Sequence, residues 1–233
     1  MINVDNGFLI VASVTSEYVR AAELAGASIK DYYPEAHVTL VIPKSLCTPN
    51  LYNTFDHIIC EDVPDNIRTK LWALDKTPYT NLTVYIDADM QCVHEDVATI
   101  WEEMPDDVDI LITKIRGYNG KIHKWAKGEM VHHGGFFMYR TNPHTMEFMN
   151  RWNLDYIKQR KDPWPHAEED HPITLRQWDQ YTLWKLINID NMGVKVEFFK
   201  DDARWNFVNG YFLNENTKPI VFYHHTLPSR VGT

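Results

Sequence analysis

The sequence predicts an α/β protein: a single domain with a mostly parallel, doubly wound central sheet flanked by helices. Three observations carry this. Short apolar, β-branched runs recur at residues 8–12, 37–42, 55–59 and 82–86, each too short for a buried helix. Segments with helical spacing lie among them, and a β-α-β-β-α-β order favours parallel strands joined by right-handed crossovers. Two carboxylates one residue apart, Asp87 and Asp89, directly follow the fourth run. That is a strand's C-terminal mouth, where open α/β sheets bind their ligands.

Each element has its own signal. Residues 8–12 form the first strand, and Ser16 caps a helix that keeps Val19, Ala22, Ala25, Ala27 and Ile29 inward as far as Tyr33. Pro43 closes the strand at 37–42, residues 55–59 form a third strand, 68–75 are helical and 82–86 are the fourth strand. Residues 109–113 read as a strand. Residues 116–133, rich in Gly, Lys and His without periodicity, read as a long loop near the site. Gly134-Gly135 opens a strand at 136–139, followed by a helix at 143–156 with Met146, Met149, Trp152 and Ile157 inward. Residues 160–172 hold three prolines beside Glu168, Glu169 and Asp170, which predicts a long irregular loop of the kind that is functional or disordered. A helix at 175–187 and strands at 194–199 and 220–223 complete the chain.

Composition narrows the function classes. A chain of 233 residues, 44% hydrophobic and 24% charged, is long enough for one domain with a substantial core. Its formal net charge of −9 argues against a surface that wraps nucleic acid, which needs a basic face. A small anion remains compatible if a cation bridges it. Cys47, Cys60 and Cys92 show no C-x-x-C spacing, which suggests neither a disulfide framework nor a zinc ribbon. No leader peptide or membrane span is read from the sequence, and the expected home is a reducing, cytoplasmic one.

The acidic pair carries the chemistry. Carboxylates at a strand mouth can grip a hard divalent cation through oxygen and leave positions open for a diphosphate. Asp-x-Asp is also common in caps and solvated turns, but the buried strand before it favours a metal–nucleotide site. Trp178-Asp179-Gln180 joins a carboxylate and an amide to an aromatic ring, as on sugar-stacking surfaces, with capping or core roles for Asp179 left open. Lys70 and Arg68 are placed to counter a diphosphate, or to form the solvated face of a helix.

Several blocks in order then carry a resemblance. They are Ile10-Val11-Ala12 with Ser13 and Tyr18 beyond it, Lys70, Tyr85-Ile86-Asp87-Ala88-Asp89-Met90, His133-Gly134-Gly135-Phe136, Trp178-Asp179-Gln180, and Val221-Phe222-Tyr223-His224 with Arg230 following. Together they resemble the GT-A-fold nucleotide-sugar glycosyltransferases, most closely the glycogenin-like family 8 type. The resemblance implies a GT-A (Rossmann-like) fold, with a nucleotide-binding half at 1–100 and a donor-sugar and acceptor half at 101–233. It implies a divalent-metal-dependent transfer from a nucleoside-diphosphate sugar, a UDP-sugar by preference, to an unidentified glycan, protein or small-molecule acceptor, with retention. Asp87, Asp89 and His224 would hold Mn²⁺ or Mg²⁺, and one imidazole among carboxylates favours Mn²⁺. Ala12, Ser13, Tyr18, Lys70, Asp87, Ala88, His133, Gly134, Gly135 and Arg230 would bind the donor, while Asp179 and Gln180 would serve catalysis. The chain departs from the family pattern in three places: the first turn lacks an Asp, His133 stands for Asn, and Pro228 and Arg230 replace a Gly and a Lys-Pro. His225 remains an alternative ligand to His224, and a surface ion pair an alternative role for Arg230. A nucleotidyltransferase-like enzyme, disfavoured because 13–16 has no glycine, and a non-catalytic sugar-nucleotide or carbohydrate-binding module are the rival classes.

Overall fold

A computed structural model of the protein describes residues 4–64, 68–114, 132–161, 178–208 and 218–225. In chain order these form β1 (Asn6–Val11), α1 (Ser16–Tyr32), β2 (Val38–Pro43), β3 (His57–Glu61), α2 (Lys70–Ala73), β4 (Leu82–Ile86), β5 (Met90–Cys92), a 3-10 segment (Glu95–Glu103) and β6 (Ile110–Lys114). There follow β7 (His132–Arg140), α3 (Pro143–Lys161), α4 (Asp179–Asn188), β8 (Val196–Phe198), α5 (Asp202–Trp205), β9 (Phe207–Val208) and β10 (Phe222–His224).

The main sheet has seven strands in the order β3-β2-β1-β4-β7-β6-β8. All neighbouring strands run parallel except at β7, which is antiparallel to both β4 and β6. Alternation across each strand splits the core into two layers. Phe8, Ile10, Val84, Ile86, Phe136 and Met138 face the layer under α1, whereas Leu9, Val11, Tyr85, Phe137 and Tyr139 face the layer that takes in Phe148, Met149 and Trp152 of α3. Both faces are covered, as the near-continuous apolar strands require. A second sheet of three strands, β5-β10-β9, stands beside the mouth of β4.

Several expectations shift. Thr15, not Ser16, is the N-terminal cap of α1, and it makes no side-chain cap hydrogen bond. The cap follows a tight reversal in which the Thr15 amide donates to the Ser13 carbonyl (2.8 Å) and Val14 has φ of 72°. That backbone is strained for a β-branched residue. On α1, Gly26 is buried where Ala27 was expected, because a Cβ on Gly26 would stand 2.8 Å from the Phe55 ring. On α3, Tyr156 turns inward and Ile157 outward, since Tyr156 follows Trp152 by four residues on the same face. Gly134 and Gly135 lie inside β7 and do not precede it, and His132 and His133 also belong to that strand. Of the loops expected at 116–133 and 160–172, residues 116–131 and 162–172 lie outside the described residues. The small strand β5 and the 3-10 segment had no sequence signal strong enough to name them. All three cysteines are free thiols. Among the described residues, no helix is long and apolar enough to cross a membrane.

Candidate metal centre

β4 is buried along its whole length and ends at Ile86, after which the chain turns sharply. The Met90 amide donates to the Asp87 carbonyl (3.1 Å), so Asp87 and Asp89 flank Ala88 in a tight turn between β4 and β5. Both carboxylates are nearly out of reach of solvent, at 7% and 5% exposure. Ionised groups buried to this degree require charge partners or a metal. The Tyr85 hydroxyl donates to Asp87 Oδ1 (2.6 Å).

The third member arrives from the far end of the described chain. β10 pairs antiparallel with β5, which sets His224 opposite Met90, and the His225 amide donates to the Asp89 carbonyl (2.8 Å). His224 Nε2 stands 3.3 Å from Asp89 Oδ1 and 3.9 Å from Asp87 Oδ2. One ligand atom from each of Asp87, Asp89 and His224 lies within 4.8 Å of the others. Two carboxylates and one imidazole converging in this way fit a divalent cation. His225 is exposed and outside the group.

Behind His224 lies Asn206, which the sequence analysis did not single out. Its Oδ1 is 2.8 Å from His224 Nδ1, and its Nδ2 is 2.9 Å from both Thr113 Oγ1 and His133 Nδ1. The only signal available in the sequence was a polar residue between Trp205 and Phe207. His133 also receives the Gly135 amide on Nδ1 (3.1 Å), and its ring meets that of His224 edge-on at 5.3 Å between centroids. Burial, then the neighbouring His224, pushes the His133 pKa down to about 3, so its ring is neutral.

A buried cation closes the other side. Lys70, expected on a solvated face or at the donor, sits on the single turn of α2 and is 6% exposed. Its Nζ donates to the Gly134 carbonyl (2.6 Å) and lies 3.4 Å from both Asp87 Oδ1 and Asp179 Oδ2. Arg68 Nε is 3.3 Å from Asp179 Oδ1. Burial pushes the Asp179 carboxyl up, but Arg68 and Lys70 outweigh it and hold the group below its ordinary value. Asp179 opens α4, and its carbonyl accepts from Trp152 Nε1 (2.9 Å).

Glycines let the backbone enter this space. Between Ile112 and Thr113 the β6–β7 register breaks, so that Ile112 pairs with Phe137 but Thr113 with His133. The bulged stretch of β7 turns its backbone to other partners: the Gly134 carbonyl takes Lys70 and the Gly135 carbonyl takes the Asp87 amide (2.8 Å). A Cβ on Gly135 would stand 2.7 Å from His133, 2.8 Å from His224 and 2.9 Å from Asp87, whereas one on Gly134 would meet nothing closer than 3.5 Å.

The remaining expected site residues are placed as follows. Ala12, Ser13 and Ala88 are buried, and Ile10 of β1 pairs with Ile86 of β4, so the ends of the two strands leave the sheet side by side. Tyr18 is half-buried against the apolar layer under α1. Gln180 is half-buried in the first turn of α4, and its Oε1 has no hydrogen-bond partner among the described residues. Arg230 lies outside the described residues.

No protein-family model matches the chain, and no curated protein matches it. Solved structures do. The glycosyltransferase GlyE of Streptococcus pneumoniae TIGR4 superposes with a TM-score of 0.63 at 12% identity, covering 97% of this chain and 55% of that one. The galactosyltransferase LgtC, solved with donor and acceptor sugar analogues, gives 0.55 at 16% identity over 95% of this chain and 87% of that one. Mouse xyloside xylosyltransferase 1 gives 0.53 at 9% identity over 96% and 98%. At these identities the likeness is one of fold: the chain has the GT-A-type architecture of these glycosyltransferases, and it spans about half the length of GlyE.

Proposed function

We propose that the protein is a metal-dependent glycosyltransferase of the glycogenin-like kind, which moves a sugar from a nucleoside-diphosphate donor, a UDP-sugar by preference, to an acceptor with retention. The observation that carries this reading is the convergence of Asp87, Asp89 and His224 at the mouth of β4 in a GT-A-type fold. A divalent ion held by these three supplies a Lewis acid for the leaving diphosphate. Residues 1–100 then form the nucleotide-binding half and 101–233 the half that meets donor sugar and acceptor. Ala12, Ser13, Tyr18 and Ala88 serve the nucleotide, the main chain at Gly134 and Gly135 borders the donor sugar, and Arg230 meets the diphosphate.

Asp179 supports the retaining outcome. Inversion needs a carboxylate that can take a proton from the acceptor. Asp179 is 1% exposed, is ion-paired to Arg68 and Lys70 and has a lowered pKa, which makes it a poor base and a good anchor. Gln180, in the first turn of α4, is taken as the residue that meets the reacting sugar, and its Oε1, without a hydrogen-bond partner among the described residues, supports that role.

The test is a panel of nucleotide sugars incubated with the protein and Mn²⁺, with the anomeric configuration of released or transferred sugar followed by NMR. Turnover of one donor, lost on chelation and yielding the retained anomer first, supports the reading. Binding without turnover of any donor would assign the protein to the non-catalytic class.

A further inference from the structure

We infer that Asn206 is a positioning residue that fixes the tautomer of His224, and that His133 in turn fixes Asn206. This rests on the proposed metal centre but concerns the protein's own hydrogen bonds, which exist without the ion.

The direction of each bond follows from one that cannot be reversed. A backbone N–H only donates, so the Gly135 amide, 3.1 Å from His133 Nδ1, makes that nitrogen an acceptor. The group of Asn206 that faces the same nitrogen at 2.9 Å is therefore its NH₂. Thr113 agrees: its hydroxyl donates to the Phe136 carbonyl (3.1 Å), which leaves its oxygen to accept from Asn206 Nδ2 (2.9 Å). With both acceptors on the NH₂ side, the Asn206 carbonyl oxygen must face His224. His224 Nδ1, 2.8 Å away, then carries the proton. Its Nε2, 3.3 Å from Asp89 Oδ1 and 3.9 Å from Asp87 Oδ2, is the nitrogen left to face the acidic pair.

The opposite arrangement fails at the first step. A turned amide would set its oxygen against the His133 lone pair, acceptor facing acceptor, in a buried place where neither could turn to water. Partners beyond the ligand that fix ring orientation and tautomer raise ligand quality, and losing one commonly costs about 10–100-fold in metal affinity. The inference also gives His133 a physical role: an imidazole there supplies the in-plane acceptor that orients the amide behind the ligand.

The experiment reads the tautomer directly. Long-range ¹H–¹⁵N spectra of the ¹⁵N-labelled protein at neutral pH should show His224 holding a proton at Nδ1, both without metal and with Mg²⁺ added. In Asn206→Ala the ring should shift toward the Nε2–H form, and Mn²⁺ affinity measured by calorimetry should fall about 10–100-fold. Asn206→Asp keeps an oxygen toward His224 but sets a second one against the His133 lone pair, so it should not recover the wild-type Mn²⁺ affinity. A His224 Nδ1 without its proton in the wild-type protein, or Asn206→Ala binding Mn²⁺ as the wild type does, overturns the inference, and the first of these needs no variant to fold. A wild-type protein with the Nδ1–H ring that binds no Mn²⁺ would instead sink the proposed metal centre and leave the role of Asn206 intact.

Discussion

Asp87 and Gly135 are joined backbone to backbone: the Asp87 amide donates to the Gly135 carbonyl at 2.8 Å, and the Asp87 carboxylate occupies the space where a Gly135 side chain would go. The residue that presents the acid is thus held by one that must have no side chain. Gly135→Ala should drive three site groups apart, cost about 1–3 kcal/mol of stability by overpacking, and weaken Mn²⁺ binding. Gly134→Ala, whose Cβ meets only ordinary contacts, should stay within about 1 kcal/mol of the wild type and keep its metal. Calorimetric titration and urea melts of the pair check this, and equal damage in both would refute the crowding argument.

Asp89→Asn should lose more Mn²⁺ affinity than the roughly 10–100-fold typical of an outer-shell partner, because it removes a charged ligand outright. Its melting temperature without metal should hold or rise, since one of two closely set buried negative charges disappears. Retained affinity in this variant would place the cation elsewhere.

Lys70→Met should be among the most destabilising single changes in the protein. It leaves Asp87 and Asp179 buried without their shared cation, a loss of about 3–5 kcal/mol for a buried pair broken on one side. The double variant Lys70→Met/Asp179→Asn should regain part of this, as residues in one network do not add independently. Chemical denaturation of the four proteins of the cycle measures the coupling, and strict additivity would show that the cluster is not cooperative.

His132, stacked on Phe198 with ring centroids 5.0 Å apart, has its pKa lowered by burial to about 4 from an ordinary 6.5. The unfolded chain therefore takes up the proton first, so stability is full above about pH 6.5 and declines as the pH falls toward 4. At pH 5 the loss from this residue is about 2 kcal/mol. His132→Phe should lose less stability than the wild type between pH 7 and 5 in urea melts. Parallel pH dependences would discount His132 as the cause.

How much was legible in the sequence depended on whether neighbours in space were also neighbours in the chain. β4 matched its expected bounds residue for residue because a strand buried on both faces is a continuous apolar run, ended here by Asp87. The acidic turn, Asp179 and His224 were visible as residue types with chemical meaning at element ends, and Gly134-Gly135 as a pair read as opening a strand that in fact contains it. Asn206 was not: its partners lie 18, 73 and 93 residues away, and no local pattern distinguishes such an amide from a surface one. Lys70 illustrates the same limit. Spacing alone allowed a solvated face, and only the bulge in β7 shows that its Nζ reaches a carbonyl and two acids.

The antiparallel pairing of β5 with β10 has a consequence for which histidine serves the site. Side chains alternate along a strand, so sliding β10 by a single residue would swap His224 for His225 and turn the first outward. Two adjacent histidines make such an error chemically plausible, and β10 is only three residues long. What forbids it is the bond from the His225 amide to the Asp89 carbonyl: the neighbour that does not belong to the metal group uses its main chain to lock the one that does. Because that lock is made of backbone, side-chain substitution at 225 leaves it in place, with proline, which has no amide hydrogen, the one exception.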